Sequence, residues 1–192
     1  MKATEILMQE HRLIEQVLDY LEEAAGRLEN GEKIDPDFFI DAADFVAGFA
    51  DGSHHRKEED ILFIAMTARG MPGDTGPVAV MRHEHEEGRR FTAGFRSAAE
   101  QMKTGDTGAS VDVIRNAFDY VNLLREHIFK EDHVLFPMAD QVLADDEMQQ
   151  VSREFERILA EDEKSGEVAR YQALVEKLST YVNTETGDRA TP

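Results

Sequence analysis

Apolar residues recur at spacings of three and four along most of the chain, which is the period of an amphipathic helix. Short stretches rich in glycine and proline divide these periodic segments, at residues 31–36, 70–77, 105–110 and around 166. The pattern predicts four long helices, over about residues 4–28, 36–68, 77–102 and 110–142. Two shorter amphipathic stretches follow between residues 145 and 182. No segment alternates between apolar and polar residues as a strand would.

The second and fourth of these helices begin with residues that are typical of helix starts. Asp35 stands directly before Pro36, and Ser110 stands directly before the apolar run of the fourth helix. Aspartate and serine side chains accept hydrogen bonds from the free backbone amides of a first turn, and proline suits the first helical position. We therefore predict Asp35 and Ser110 as N-caps.

An internal repeat links the two halves of the chain. HHRKEEDILFI begins at His54 in the second helix, and HIFKEDHVLFP begins at His127 in the fourth. Aligned on these histidines, the segments share His, Lys, Glu, Leu and Phe at the same offsets. A Glu-His pair stands earlier in each half, ending at His11 in the first helix and at His85 in the third.

The repeat divides the chain into two helical hairpins, and such hairpins pack as a bundle whose facing helices can build a site at the core. We therefore predict an all-α fold, an up-down-up-down four-helix bundle over residues 1–142. Additional C-terminal helices over residues 143–192 are expected to pack on this bundle. The last ten residues, 183–192, are expected to fray.

Composition narrows the functional classes. Acidic residues outnumber basic ones 40 to 21, so the formal charge is −19, and such a surface repels nucleic acid and anionic membranes. The chain has no cysteine, which excludes disulfides, thiolate ligands and Fe–S clusters. The first residues lack the apolar run of a signal peptide, and no stretch reaches the roughly 18 apolar residues of a membrane span. We expect a soluble, cytoplasmic protein.

Six side chains form a candidate metal site. Residues four apart lie on one helix face about one turn apart, so each His-x-x-x-Glu motif places a nitrogen and an oxygen donor together. A lone histidine on an apolar helix face is more often a hydrogen-bonded core residue, but four such histidines and two glutamates each need a partner. A bound cation would satisfy all of them. The predicted ligands are His11, His54, Glu58, His85, His127 and Glu131.

The other histidines and two further acids are predicted to lie outside the site. His55, His83 and His133 are turned well away from the faces of the predicted ligands, so we expect them at the surface or at the rim of the site. Glu59 and Asp132 each follow a ligand histidine by five residues, about 140° around the helix. We expect both carboxylates to be solvated.

The donor inventory favours two metal ions. Imidazole with carboxylate suits iron, manganese or zinc, but four imidazoles and two carboxylates exceed what one tetrahedral zinc ion takes. Two ions would share both carboxylates as bridges, and each ion would also have two imidazoles. One solvent-derived oxo or hydroxo bridge between the ions would still leave an open position. We expect two non-haem iron ions, with manganese as the second choice.

The chain resembles the hemerythrin family, in particular the bacterial hemerythrin-like proteins with an HHE cation-binding domain. The motifs that carry the resemblance are QEHRLIE around His11, HHRKEEDILF from His54, RHEHEEGR around His85 and HIFKEDHVLFP from His127. They span residues 1 to about 140. The resemblance implies that His11 and His54 hold one iron and that His85 and His127 hold the other. It also implies that Glu58 and Glu131 bridge the two ions.

Two departures from the respiratory hemerythrins affect what the resemblance implies. Those proteins place two histidines in the third helix, whereas the positions four residues from His85 here are Met81 and Arg89. They also use an aspartate five residues after the fourth-helix histidine, which would indicate Asp132 instead of Glu131. The internal repeat and the helical angle favour Glu131.

The sequence leaves several functions open. With one histidine in the third helix, one iron keeps an additional position, which favours turnover of peroxide, O₂ or NO in oxidative or nitrosative stress defence, with an unidentified electron donor. The alternatives are reversible binding or sensing of O₂ or NO, iron storage or sensing, and a helical interaction module without metal. Tyr120 could donate a proton or an electron, although a core tyrosine with a hydrogen-bonded hydroxyl is more common.

Overall fold

A computed structural model of the chain describes residues 1–185. Helix accounts for almost all of these residues, and the described part of the chain contains no strand. The predicted boundaries of the long helices agree with the structure to within one residue. The predicted fray at 183–192 lies mostly outside the described residues. The α-helices are α1 (Ala3–Glu29), α2 (Pro36–Phe45), α3 (Phe63–Ala68), α4 (Gly76–Lys103), α5 (Ser110–Lys130), α6 (Phe136–Val142), α7 (Asp145–Ser165) and α8 (Glu167–Glu185).

Two of the four long helices contain π-helical segments. The second long helix, residues 36–68, comprises α2, a first π segment (Val46–His55), a second π segment (Glu58–Leu62) and α3. The fourth, residues 110–142, comprises α5, a third π segment (Glu131–Leu135) and α6. A π-helix hydrogen-bonds from residue i to i+5 and is rare outside functional sites. Each segment changes which side chains share a face, so angles derived from the α-helical period do not apply there.

The two predicted N-caps have different outcomes. The Asp35 side chain accepts a hydrogen bond from the amide of Asp37, and Pro36 begins the helix, as predicted. Ser110 is not a cap, because a short 3₁₀ turn over Thr107–Ala109 precedes it. The side chain of Asp106 caps that turn by accepting from the amide of Gly108.

The four long helices pack in a ring. The first helix, α1, contacts the second and fourth helices, and the third helix, α4, also contacts the second and fourth. This packing fits a helical bundle with one central core. The alternating direction of the four helices stays a prediction.

The interior of the bundle has three layers. One apolar cluster includes Ile14, Phe45 and Leu124, and the other includes Leu7, Leu62 and Phe136. Each long helix contributes to both clusters, and the predicted ligands lie on the turns between these contributions. The ligand layer is therefore closed off from solvent above and below by apolar side chains.

The C-terminal helices cover the outside of this ring. Phe155 of α7 is buried in one apolar cluster and Tyr171 of α8 in the other. Gly48, in the first π segment, lies against Tyr171, since a Cβ at this position would be 2.5 Å from the tyrosine hydroxyl. The division into domains at residues 142 and 143 stays a prediction. Among residues 1–185, no helix combines the length and apolar character that crossing a membrane requires.

Candidate metal centre

The six predicted ligands meet at the centre of the bundle. Every one of them is at most 1% exposed to solvent. The first and third helices supply His11 and His85. The second and fourth helices each supply a His-x-x-x-Glu pair. Polar side chains so deep in a protein normally have hydrogen-bond partners or bind an ion.

Glu58 lies between histidines of the two hairpins. Its Oε1 is 3.5 Å from Nε2 of His54, and its Oε2 is 3.5 Å from Nε2 of His85. Burial raises the pKa of the Glu58 carboxyl well above its usual value of 4.5, and the nearby charge of Glu131 raises it further. One oxygen therefore faces each half of the centre, as a bridging carboxylate would.

Glu131 occupies the equivalent place on the fourth helix. Its Oε2 is 3.3 Å from Nε2 of His11 and 3.3 Å from Nε2 of His127. Burial on its own would raise the pKa of Glu131, but the two imidazoles hold it well below 4.5. The pKa of His127 is raised to about 9, against the effect of burial, because Glu131 and Glu84 favour its charged form.

The donor set fits a metal ion better than it fits a self-satisfied core. All four carboxylate oxygens of Glu58 and Glu131 are buried and have no hydrogen-bond partner among the described residues. The Nε2 atom of His11 is in the same state. An unpaired charge buried in this way destabilises a fold by about 3–5 kcal/mol. Cations between the carboxylates would remove this cost.

A second layer of carboxylates holds the four histidines from outside. In each case the Nδ1 atom faces a carboxylate oxygen of the preceding helix in the ring, so that Nε2 is left pointing inward. Such outer hydrogen bonds set the tautomer and the orientation of metal-binding histidines. The four contacts are His11–Asp132 at 2.7 Å, His54–Glu10 at 2.9 Å, His85–Glu59 at 2.7 Å and His127–Glu84 at 3.0 Å.

Two lysines of the repeat support this outer layer in unequal surroundings. Lys57 is completely buried, and its Nζ is 2.9 Å from Oε1 of Glu10 and 3.0 Å from Oγ of Ser53. Ser53 in turn donates to Oδ2 of Asp162 on α7, at 2.7 Å. Lys130 pairs with Glu84 but its side chain is 37% exposed.

The prediction that Glu59 and Asp132 are solvated is wrong. Their side chains are only 26% and 13% exposed, because each is held between a histidine and an arginine. Arg89 donates to Oε1 of Glu59 at 2.8 Å, and Arg12 pairs with Asp132. The hydrogen bond with His85 and the contact with Arg89 lower the pKa of Glu59 to about 2.

The prediction for His55 is also wrong. This histidine is 5% exposed, and its ring stacks on that of His85, with centroids 3.7 Å apart and planes at 14°. Its Nδ1 is 3.3 Å from Oδ1 of Asp51. Its Nε2 has no partner among the described residues. The α-helical angle placed His55 away from the site, but a residue directly after a buried histidine can still be covered by a neighbouring helix, as the counterpart Ile128 is, at 3% exposed.

The other two histidines lie at the surface, as predicted. The side chain of His83 is 73% exposed, and His133 is exposed with its Nδ1 against the backbone carbonyl of Phe129.

Donor atoms of the buried cluster form two groups that share Glu58. Within each group, one ligand atom from every residue lies within 4.8 Å of the others. This spacing allows each group to surround one cation. The first group is His11, His54, Glu58 and Glu131, and the second is His55, Glu58, His85 and His127.

A cavity of about 260 Å³ lies beside the second group, between the second and third helices. His55 and His85 line it together with Tyr120. Tyr120 is a core aromatic residue at 1% exposed, as expected, and its hydroxyl has no hydrogen-bond partner among the described residues. Burial raises the pKa of Tyr120 and keeps the hydroxyl protonated.

Sequence reasoning missed the outer layer, although the repeat contains a signal for part of it. Glu10 and Glu84 stand directly before His11 and His85, at equivalent positions of the two halves. That equivalence indicated a shared role. Their actual contacts are with the histidines of the following helices, which a sequence pattern does not reveal.

Comparisons with known proteins place these motifs in one family. The chain matches the Hemerythrin HHE cation binding domain over residues 2–139. It is 25% identical over 177 residues to the uncharacterized protein Rv1995 of Mycobacterium tuberculosis, an alignment covering 92% of this chain and 68% of that protein. It is 33% identical over 90 residues to the iron-sulfur cluster repair protein YtfE of Edwardsiella ictaluri, covering 45% of this chain and 40% of that protein. The family match covers most of the chain and all six predicted ligands, and the chain therefore belongs to the hemerythrin HHE cation-binding domain family.

Proposed function

We propose that this protein holds two iron ions, bridged by Glu58 and Glu131, and uses them to handle small oxidants such as peroxide, O₂ or NO. The observation that carries the proposal is the set of carboxylate oxygens of these two glutamates, buried without hydrogen bonds between imidazoles of both hairpins. One cation would leave part of this set unpaired. Two cations would use every oxygen.

Iron is the metal that the chemistry of the donors supports best. The set consists of imidazoles and carboxylates, which suit iron and manganese, and it exceeds the four ligands of a structural zinc site. The similarity to proteins named for iron-sulfur cluster repair also points to iron. We keep manganese as the second choice.

The protein matrix would control how an oxidant meets this centre. When bound, a pair of iron ions supplies electrons two at a time. The outer carboxylates hold each imidazole with Nε2 inward, and the apolar layers above and below exclude bulk water. The protonated hydroxyl of Tyr120 is the uncommitted hydrogen-bond donor of the neighbouring cavity. These features suit a small, uncharged oxidant, since the chain carries a formal charge of −19.

Disproportionation of hydrogen peroxide is the activity to test first, because it needs no outside electron donor. One peroxide molecule is oxidised to O₂ and a second is reduced to water. The protein is expected to purify with two irons per chain and to release O₂ from peroxide. His85→Ala should lose this activity together with iron, whereas exposed His83→Ala should keep both. Metal analysis that finds one zinc per chain would contradict the proposal.

Reversible binding or sensing of O₂ or NO is a second candidate. The observation that favours it is the burial of His55 beside His85, since the argument for turnover relied on an unfilled position at that iron. Optical spectra of the reduced protein distinguish the two. A binding protein would form a stable complex with O₂ and release the gas intact under vacuum, without consuming peroxide.

A further inference from the structure

The cavity of about 260 Å³ beside the second group is larger than the proposed small oxidants need. A water molecule takes about 30 Å³ of the liquid, and an apolar cavity of roughly 150 Å³ is enough to bind benzene. Hydrogen peroxide, O₂ and NO each have only two heavy atoms, so any of them would leave most of this space unfilled. The cavity therefore has room for an organic molecule.

Small and apolar side chains form much of the cavity wall. Val46 and Leu124 are buried, whereas Ala47 and Ala93 line the same cavity and are exposed. Because alanine side chains are short, they leave a gap at the surface between the second and third helices. The cavity therefore extends from this gap to His85, one of the predicted ligands.

The charged side chains of the cavity favour an uncharged ligand. Each of them already has a partner of opposite charge, so an ionised ligand would have to displace an existing ion pair. The pairs are Arg89 with Asp51, Arg96 with Asp44 and Glu84 with Lys130.

Two buried polar atoms of the cavity residues have no hydrogen-bond partner among the described residues, the hydroxyl of Tyr120 and Nε2 of His55. The Nδ1 atom of His55 is 3.3 Å from Oδ1 of Asp51, and burial lowers the pKa of the ring to about 3. In this neutral ring Nδ1 donates to the carboxylate, which leaves Nε2 as an acceptor. The tyrosine hydroxyl supplies a donor. A ligand that suits both atoms carries a group that donates and accepts, such as a hydroxyl or a hydroperoxyl group.

The orientation of His55 suits this role better than metal binding. Its donor atoms lie near those of His85, but the two rings are stacked with centroids 3.7 Å apart and planes at 14°. Nitrogen atoms in the planes of two nearly parallel rings cannot both point at one ion. Buried side-chain nitrogens normally have a hydrogen-bond partner, and a ligand in the adjoining cavity would provide one.

We propose that this cavity binds an uncharged organic hydroperoxide, with its apolar part against the alanine, valine and leucine side chains and its hydroperoxyl group at Tyr120 and His55. The inference rests on the proposed two-iron function and names a substrate class for the same centre. Hydrogen peroxide would use the polar atoms alone. An organic hydroperoxide would also gain affinity from burying its apolar surface.

Reduction of such a substrate is a two-electron step. The O–O bond breaks, one oxygen leaves with the organic group as an alcohol, and the other oxygen leaves as water. Two protons come from solvent, and two electrons come from the two iron(II) ions of the proposed centre, which become iron(III). The hydroxyl of Tyr120, kept protonated by the effect of burial on its pKa, is available to hydrogen-bond the alcohol oxygen.

Binding of the alcohol product tests the cavity without any turnover. The probe is 2-phenyl-2-propanol, the alcohol formed from cumene hydroperoxide, titrated into the full chain and followed by calorimetry. Ala93→Leu narrows the opening and should weaken binding by about tenfold. Tyr120→Phe removes one hydrogen bond and should weaken it by about 2- to 10-fold. Ala160→Leu, at an exposed alanine of α7 outside the cavity, should bind like the wild type.

Single-turnover kinetics test the substrate class. The chain loaded with iron(II) is mixed with cumene hydroperoxide or with hydrogen peroxide, and the absorbance of iron(III) is followed. The ratio of the two rate constants cancels differences in iron content between variants. This ratio should fall by about tenfold in Ala93→Leu and stay at the wild-type value in Ala160→Leu.

The outcomes separate the cavity from the metal centre. A wild-type chain that does not bind the alcohol would overturn the proposed substrate class while leaving the two-iron centre intact. Wild-type binding and an unchanged rate ratio in Ala93→Leu would overturn it as well, because the ligand would then bind elsewhere. A chain that binds the alcohol in the predicted order of variants but takes up no iron would support the organic ligand site and overturn the proposed two-iron function.

Discussion

The second and fourth helices carry the same motif and yet differ at one turn of the site. In both, the histidine and the lysine of the repeat contact a glutamate of the preceding helix. The glutamate of the repeat lies between two imidazoles. One turn earlier they diverge, because the second helix has a π segment over Val46–His55, whereas the fourth is α-helical up to Lys130. His55 has Ile128 as its counterpart, and Ile128 is an ordinary buried apolar residue.

This difference indicates which parts of the motif are equivalent in the two halves and which are not. Glu58 and Glu131, which lie beyond the divergent turn, keep equivalent positions between imidazoles of both hairpins. The residue next to each histidine is buried in both halves but differs in chemistry, being His55 in one and Ile128 in the other. The symmetry of the sequence repeat is therefore retained in the two buried glutamates and broken in the residue that follows each histidine.

The largest effect on iron binding is expected from the two buried glutamates, which have equivalent positions in the two halves of the chain. Glu58→Gln and Glu131→Gln should each abolish binding of both irons, because a neutral amide does not bridge two cations. Iron content after dialysis measures this, with exposed Glu86→Gln as the control. If one of the two variants retains both irons, the glutamates are not equivalent bridges.

The lysines of the repeat should differ in their effect on stability. Lys57→Met leaves the largely buried carboxylate of Glu10 without its lysine partner, so it should lower the free energy of unfolding by about 3–5 kcal/mol. Lys130→Met removes an ion pair of a partly exposed lysine, which is worth at most about 1 kcal/mol. Urea unfolding of the metal-free proteins compares them. Equal decreases in the free energy of unfolding would show that the difference in burial between the two lysines does not determine their contributions to stability.

The outer carboxylates should tune metal affinity in both halves. Glu59→Gln and Asp132→Asn are expected to weaken iron binding by about 10- to 100-fold without changing the number of irons bound. An isothermal titration of each variant measures this. If Asp132→Asn empties the centre while Glu131→Gln does not, Asp132 is the bridge.

The lowered pKa of Glu59 also predicts that the stability of the protein depends on pH. Its pKa is lowered to about 2 in the folded protein, below the 4.5 of a free glutamate, so its stabilising contribution is full above about pH 4.5 and is lost as the pH falls towards 2. The stability difference between wild type and Glu59→Gln should shrink over that range. A difference that stays constant from pH 6 to pH 3 would contradict the assigned contacts.

The smallest effect concerns the C-terminal extension, which hydrogen-bonds to the second helix. Asp162→Ala leaves the hydroxyl of Ser53 without its acceptor and should cost about 1 kcal/mol of stability. Glu163→Ala, at the exposed neighbouring position, should cost almost nothing. At the position equivalent to Ser53 the fourth helix has the exposed Glu126. Equal effects of the two variants would mean that the Ser53 contact contributes no stability.

The helices and the six side chains of the inner cluster could be predicted from the sequence because both depend on local spacing. Apolar periodicity and the glycine and proline clusters determine where helices begin and end, and the i, i+4 relation puts His54 with Glu58 and His127 with Glu131. The repeat then identified the two halves. Each of these inferences needs only the geometry of a single α-helix.

The outer layer and the place of His55 were decided by the tertiary structure. The carboxylate that holds each of the four histidines of the inner set comes from a neighbouring helix, about 26 to 121 residues away in sequence, so no local pattern encodes the pairing. His55, the last residue of the first π segment, is buried because its ring stacks on that of His85 of α4. That segment packs against α4 and, at Gly48, against Tyr171 of α8, contacts that exist only once the chain has folded.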